Sequence, residues 1–338
     1  MMIMKKIKLL IIIVIGIAII APKLHAGNEE RAGEAGASEL LLNPWAASSG
    51  FGNANVSAIQ GLESIFLNVA GTAFVNKTEL GFTYTDYLSG AGIGINSFAL
   101  AQKVGESGAI TGSVVSYNFG DLDITKVELP DGTGTTFKPS YTNITLAYAR
   151  EFSNAIYGGA AIKVLNEGIS NVKATGIAID AGIQYVAGDR EQLRFGIAMQ
   201  NVGPTMRFKG DGLSFSGTSP NGTLQTIEYR EREIELPSLI RIGLSYDLFL
   251  AEKHNLLLAG AFTSNSFTKD NLHFGVEYGF SEILQLRGGF IYEEGIFDEA
   301  ERATVFTGYN FGGSIIAPLG KESGTKLAID YSYRTTAV

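Results

Sequence analysis

The sequence predicts an all-β chain: a transmembrane, antiparallel outer-membrane β-barrel with an N-terminal plug segment. Three observations predict it: an export signal, a hydropathy pattern of period two that returns along the chain, and small residues where a soluble sheet would place its charges.

The export signal comes first. Lys5, Lys6 and Lys8 form a basic region, Leu9 to Ile20 an unbroken apolar run, and Leu24-His25-Ala26 a cleavage site before Gly27. That run is too short for a spanning helix, which needs roughly 20 apolar residues. Residues 1–26 therefore read as a secretory signal peptide, residues 27–76 as a plug segment, and residues 77–338 as the barrel.

Composition narrows the function classes. Removal of Lys5, Lys6, Lys8 and Lys23 leaves 22 basic against 34 acidic residues, a net charge of −12 (22 − 34). That balance argues against nucleic acid as a partner. The chain has no cysteine, which excludes disulfides, thiolate zinc sites and thiol nucleophiles. It has 42 glycines, yet its mean hydropathy is +0.14, an odd pairing for a soluble exported protein.

The strands explain the pairing. In Leu239 to Leu248, Ile240, Ile242, Leu244, Tyr246 and Leu248 face one way and Arg241, Gly243, Ser245 and Asp247 the other. Gln192 to Asn201 and Leu272 to Phe280 alternate likewise. Segments of about ten residues with this period are long enough to cross a bilayer as tilted strands. The second face is mostly Gly, Ala, Ser and Gln, which suits a crowded lumen. The apolar face carries Tyr84, Tyr185, Tyr246, Tyr278, Tyr292 and Tyr333 near strand ends, where aromatic girdles sit.

Taken in order, strands are expected at Thr78–Leu88, Ala91–Lys103, Gly108–Phe119, Tyr141–Phe152, Ala155–Leu165, Val172–Val186 and Glu191–Val202. They continue at Ser238–Leu250, Asn255–Phe267, Asn271–Phe280, Leu284–Glu293, Ala303–Gly312 and Thr325–Arg334, about 13 in all. Short turns at every second connection mark the periplasmic side. Gly120–Ser140 and Gly203–Pro237 are long and extracellular, with the tight Ser89-Gly90-Ala91 as an exception on that side. Tyr229–Glu235 alternates in charge as an exposed strand or stalk does.

No catalytic constellation appears, so the chain reads as a non-enzyme. His254 is placed in a turn and His273 on a lumen face; neither has the neighbours of a base or a ligand. The sequence has no G-x-S-x-G and no H-E-x-x-H. The carboxylates Glu293, Glu294, Asp298, Glu299 and Glu301 offer ligands for a divalent cation, but carboxylates must converge to bind calcium and the run reads first as a solvated loop. Neither a cofactor nor a metal is implied.

One stretch breaks the pattern. Asn43 to Ala58 (NPWAASSGFGNANVSA) has neither helical stripe nor strand alternation, yet it holds the only tryptophan, Trp45. Irregular backbone is tolerated at membrane depth where protein surrounds it, so this stretch is expected inside the lumen.

Gly36 to Phe74, GASELLLNPWAASSGFGNANVSAIQGLESIFLNVAGTAF, resembles the N-terminal signature of the PorV/PorQ family of the type IX secretion system in Bacteroidota, nearest its PorV branch. The matching pieces are GAS before LLLNPWA, then SSG and GNAN, then GLES leading to FLNVAG; the late AIDYSYR is also similar. The signature positions singled out are Asn43, Pro44, Trp45, Gly61 and Asn68. The resemblance implies a barrel similar to the fatty-acid transporter FadL, with 14 strands and a plug. It also implies partners: the large translocon barrel, the C-terminal signal domains of secreted cargo, and the surface attachment machinery.

Two functions follow as expectations. The first is a cargo-binding shuttle in the outer membrane, with Leu129, Phe137, Phe208, Leu213 and Phe215 of the long loops as anchors. The alternative is a FadL-like transporter of hydrophobic small molecules, which a lateral wall opening and an apolar pocket beneath the loops would mark. Thirteen strands where single-chain bacterial barrels have an even number predict a further strand after the last one. An open seam is then expected between the first and last strands present.

Overall fold

The computed structural model describes residues 27–320 and 324–337. The predicted signal peptide lies outside the described residues.

Thirteen strands form one antiparallel sheet in which sequence neighbours pair. They are β1 (Thr78–Tyr87), β2 (Ile93–Val104), β3 (Gly108–Asn118), β6 (Ser140–Ser153), β7 (Ile156–Ile169), β8 (Val172–Ala187), β9 (Leu193–Val202), β12 (Leu239–Ala251), β13 (His254–Asn265), β14 (Asn271–Phe280), β15 (Leu284–Glu293), β16 (Phe306–Pro318) and β17 (Lys326–Thr336). Two hairpins outside the sheet, β4 (Leu122–Asp123) with β5 (Thr136–Phe137) and β10 (Ser214–Thr218) with β11 (Leu224–Glu228), occupy the two long connections.

The two faces have opposite burial. Ile240, Ile242 and Leu244 are 46, 41 and 55% exposed, whereas Arg241 and Ser245 on the other face are 5 and 2% exposed. The same reversal holds in β8, where Ile177, Ile179 and Ile183 are exposed and Ala178, Asp180 and Gln184 are buried. An apolar surface this extensive has no place in water; it is the lipid-facing belt of an outer-membrane barrel. Among the described residues no helix is long and apolar enough to cross a membrane.

Several sequence expectations shift. β16 starts at Phe306 and runs to Pro318, because Gly312 and Gly313 hide an alternation that Phe311 and Ile315 carry on. β7 reaches Ile169, so its connection to β8 is the two-residue turn Ser170–Asn171, a second tight turn on the long-loop side; Ser170 takes the left-handed φ of 51°. Tyr229–Glu235 is neither a strand nor part of β12. Tyr229 extends the β10–β11 hairpin through its bond to Leu213, while Ile234 and Glu235 form single bridges to Met206 and Ala35. His254 opens β13 instead of lying in a turn, and its Nδ1 lies 2.6 Å from the Tyr278 hydroxyl.

β1 and β17 are the two edges of the sheet, with no register between them. In an antiparallel sheet of thirteen they run in the same direction. They approach at the long-loop end, where Tyr87 meets Phe306 edge-on at 6.1 Å and the Arg334 guanidinium lies 3.8 Å from the centre of that Phe306 ring.

The belt makes a quantitative prediction. Ile242→Arg places a charge on the lipid face near mid-strand and is expected to cost about 2–4 kcal/mol, read as a shift in urea unfolding of the barrel in lipid vesicles. The conservative Ile242→Val is expected to stay within about 1.5 kcal/mol.

Candidate functional site: the lumen and its mouth

The lumen is filled by residues 36–75, and glycines on the inner wall explain how. A Cβ at Gly81 of β1 would fall 3.1 Å from the Trp45 ring, one at Gly312 of β16 3.0 Å from Gly50 Cα, and one at Gly275 of β14 2.7 Å from Phe51. Next round the wall, Gly243 of β12 and Gly196 of β9 lie under Val56 and Ser57, Gly182 of β8 under Asn68, and Gly159 of β7 under Val69. The segment thus runs round the wall from β1 through β16, β14, β12 and β9 to β7. It then leaves into β1. Only a sheet curled about it puts all these strands within reach.

Within the segment, short helices α1 (Ala46–Gly50) and α2 (Ser64–Leu67) alternate with turns, and neither helix has a side-chain cap. The signature positions hold this shape. Asn43 accepts from the Trp45 amide at 2.9 Å and donates to Ser48 and Asn53 at 2.8 and 2.7 Å, fixing the entry to α1. The Pro44 carbonyl accepts from Thr83 of β1 at 2.9 Å. Trp45, 4% exposed, packs with Leu62, Val75 and the alanines of β2 and β3. Gly61 turns at φ 78°, where a Cβ would strike Glu79. The Asn68 amide donates to the carbonyls of Val56 and of Ile183 in β8, at 3.0 and 3.1 Å, while its oxygen caps the following turn at Ala70.

Wall residues that the sequence did not single out complete the anchorage. Gln184 donates to Val56 and Ile59, Gln200 to Phe66 and Leu67, and the His273 ring meets the Gly52 carbonyl at 2.8 Å. Behind Gln200 a bulge between β8 and β9 buries Lys163, Asp180, Asn201 and Arg241: Lys163 pairs with Asp180 at 2.6 Å and Arg241 donates to Gln200 at 2.5 Å. Inward glutamines in strands were the available signal. Glu63 sits between α1 and the wall; burial, then the charge of Asp330, pushes its carboxyl up to about 7, against bonds from Ser48.

The loop candidates divide. Leu129 is exposed in the turn between β4 and β5, and Phe137 lies half-buried in β5. Leu213 ends a 3-10 turn, and Phe215 stacks on Tyr229 at 4.7 Å across the β10–β11 hairpin. Phe208 does not join them. It packs, half-buried, against the cluster that contains Ala37, Leu40, Met206 and Leu236, where the mouth meets the segment. Ile227 and Tyr229, unmarked by the sequence reading, stand exposed beside Phe215.

At the same end a cavity of about 260 Å³ opens between residues 33–41 and the ends of β12 and β13. Leu41, Pro237 and Phe267 make its apolar walls; Ser38, Ser238 and Asn265 are among its uncharged polar groups.

No family model and no curated protein matches the chain. Among solved structures it is similar to the P. putida toluene transporter TodX, with TM-score 0.50 and 11% identity over 86% of this chain and 92% of that one. It is also similar to a Pseudomonas aeruginosa FadL homologue, with TM-score 0.50 and 13% identity over 85% and 88%. These likenesses show the fold alone, a FadL-like β-barrel.

Glycine contact with the segment is testable. Gly196→Val is expected to push Val56 and Ser57 off β9, raising both the acrylamide quenching of Trp45, the sole tryptophan, and the conductance of the reconstituted barrel. Gly112→Val, where a Cβ would meet only the Thr145 carbonyl oxygen at 4.0 Å, is the control expected to change neither.

Proposed function

We propose that this chain carries small hydrophobic molecules across the outer membrane, collecting them in the apolar cavity at its extracellular mouth. The cavity is the observation that carries the reading. About 260 Å³ exceeds the roughly 150 Å³ that holds benzene in an apolar protein interior. No charged side chain lines it, so a neutral ligand loses no ion solvation on entry. One wall belongs to the segment that fills the lumen, so ligand binding and segment position are mechanically linked. The same architecture serves the toluene transporter TodX.

A second reading rests on a different observation. The β10–β11 hairpin holds Phe215, Ile227 and Tyr229 on one exposed face, a patch of the kind that anchors a protein partner. With the N-terminal resemblance, it supports a cargo shuttle of the type IX system. Its partners would be the translocon barrel, the C-terminal signal domains of cargo and the surface attachment machinery.

One experiment separates the two. Ser266→Trp fills the cavity and is expected to lower uptake of a neutral fluorescent aromatic probe by at least about tenfold, roughly 1.4 kcal/mol, with secreted proteins co-purifying as before. Phe215→Ser with Tyr229→Ser is expected to leave uptake unchanged. Loss of co-purifying cargo in that double variant, with uptake indifferent to Ser266→Trp, selects the shuttle.

A further inference from the structure

One contact between segment and wall has no neutralising partner. Glu39, in the 3-10 turn Ser38–Leu41 of the segment, has its carbonyl bonded by Tyr117 of β3, whose cross-strand neighbour Tyr141 of β6 stands opposite Glu167 near the mouth end of β7, so the two carboxyls lie beside each other. Glu167 is 5% exposed, and its Oε1 has no hydrogen-bond partner other than what Glu39 can offer. The groups packed around the two are Tyr117 of β3, whose hydroxyl donates to the Glu39 carbonyl at 2.7 Å, Tyr141 of β6, and Tyr87 of β1 in the same cluster. Ile95, Val115 and Leu42 pack with those tyrosines. No lysine or arginine among the described residues acts on either carboxyl.

Two carboxylates in contact, in an apolar setting without a cation, cannot both be ionised at modest cost. A carboxylic acid donating to a carboxylate satisfies both. We propose that Glu39 and Glu167 share one proton, and that this shared proton latches the segment to the barrel wall at the extracellular mouth. Loss of the proton leaves two facing charges, and the segment lifts at that end. The latch stands independently of which ligand or partner the barrel serves.

The sign follows from the direction of the shift. Burial, then the charge of Glu167, pushes the Glu39 carboxyl up to about 8, so the latched state holds a proton that the lifted state releases. Latching is strongest below the ordinary carboxylate range and weakens as pH rises towards about 8. Above that it is flat.

The chain has no cysteine, so a nitroxide on Ser38→Cys reports the mouth end of the segment alone. In the vesicle-reconstituted barrel the ratio of mobile to immobile label is expected to rise with pH, by at most about tenfold per unit from pH 5.5 to 8, and then to level. Glu167→Gln, whose amide donates to an ionised Glu39, is expected to abolish the slope. Glu39→Gln, which leaves the wall untouched, is expected to do the same. A ratio independent of pH in the unaltered pair overturns the latch, as does a slope that survives in both variants. Immobilisation that grows with pH only when calcium is added overturns it too, since the carboxylates would then hold a cation and not a proton.

Discussion

Backbone lies against backbone where the N-terminal segment meets the barrel wall, and the rest of the structure depends on that approach. Glycine in a strand interior loses conformational entropy and packs nothing of its own. Gly196, Gly243, Gly275 and Gly312 nevertheless stand at inner positions of four strands, each under a named residue of the segment. Wall and segment are therefore one packing unit: the strands lack inner side chains because residues 50–57 supply the missing contacts. The same unit spans the seam. Thr83 of β1 bonds the Pro44 carbonyl, and α1 beyond it lies against β16 and β17, so the segment links edges that no ladder joins.

The wall was legible in the sequence because period two is a local signal, repeated in every strand. It failed only where side chains fell silent, as at Gly312-Gly313 in β16, or where a two-residue turn made one long gap of a short one, as at Ser170–Asn171. The plug was legible as a place and not as a shape. Small residues and a lone tryptophan marked Asn43–Ala58 as interior, but the path at Val56, Ile59 and Asn68 is fixed by partners on the wall more than a hundred residues away, Gln184 and Ile183. Phe208 shows the same limit from the other side. In a long polar loop it reads like Phe215; only the fold reveals that Leu40 and Met206 lie beneath one of them and solvent beside the other.

Charge inside the lumen follows the same logic of distant pairing. Lys163 and Asp180 stand on neighbouring strands, and removing either would leave the other buried alone, a loss of about 3–5 kcal/mol for pairs of this kind. Arg287 gathers Glu277, Gln285, Ser314 and Asp330 from four strands in the same way. Such groups are costly singly and stable together, which explains why an acidic chain can hold charged residues in a lumen packed with glycine.

The anchors are not evenly spread along the segment, and the unevenness bears on function. Its deeper part is tied by directional bonds from Asn68, Gln184, Gln200 and His273, each ending on a backbone carbonyl of the segment or wall. Its mouth end is held to the strands by apolar packing of Ala37 and Leu40, by one tyrosine bond and by the Glu39–Glu167 contact, and its other bonds there go to connections outside the strands: the Gly36 amide to the Glu235 carbonyl, Arg31 to the Glu235 carboxylate and the Gly27 amide to Asp270. Apolar contact tolerates sliding in a way that hydrogen bonds do not. The apolar cavity lies beside this looser end, between residues 33–41 and β12 and β13. On the proposed transport function, a ligand entering there meets the part of the segment with the fewest bonds to the strands. The proposed latch sits at this end, above a lower lumen whose hydrogen-bonded anchors fix the rest of the segment.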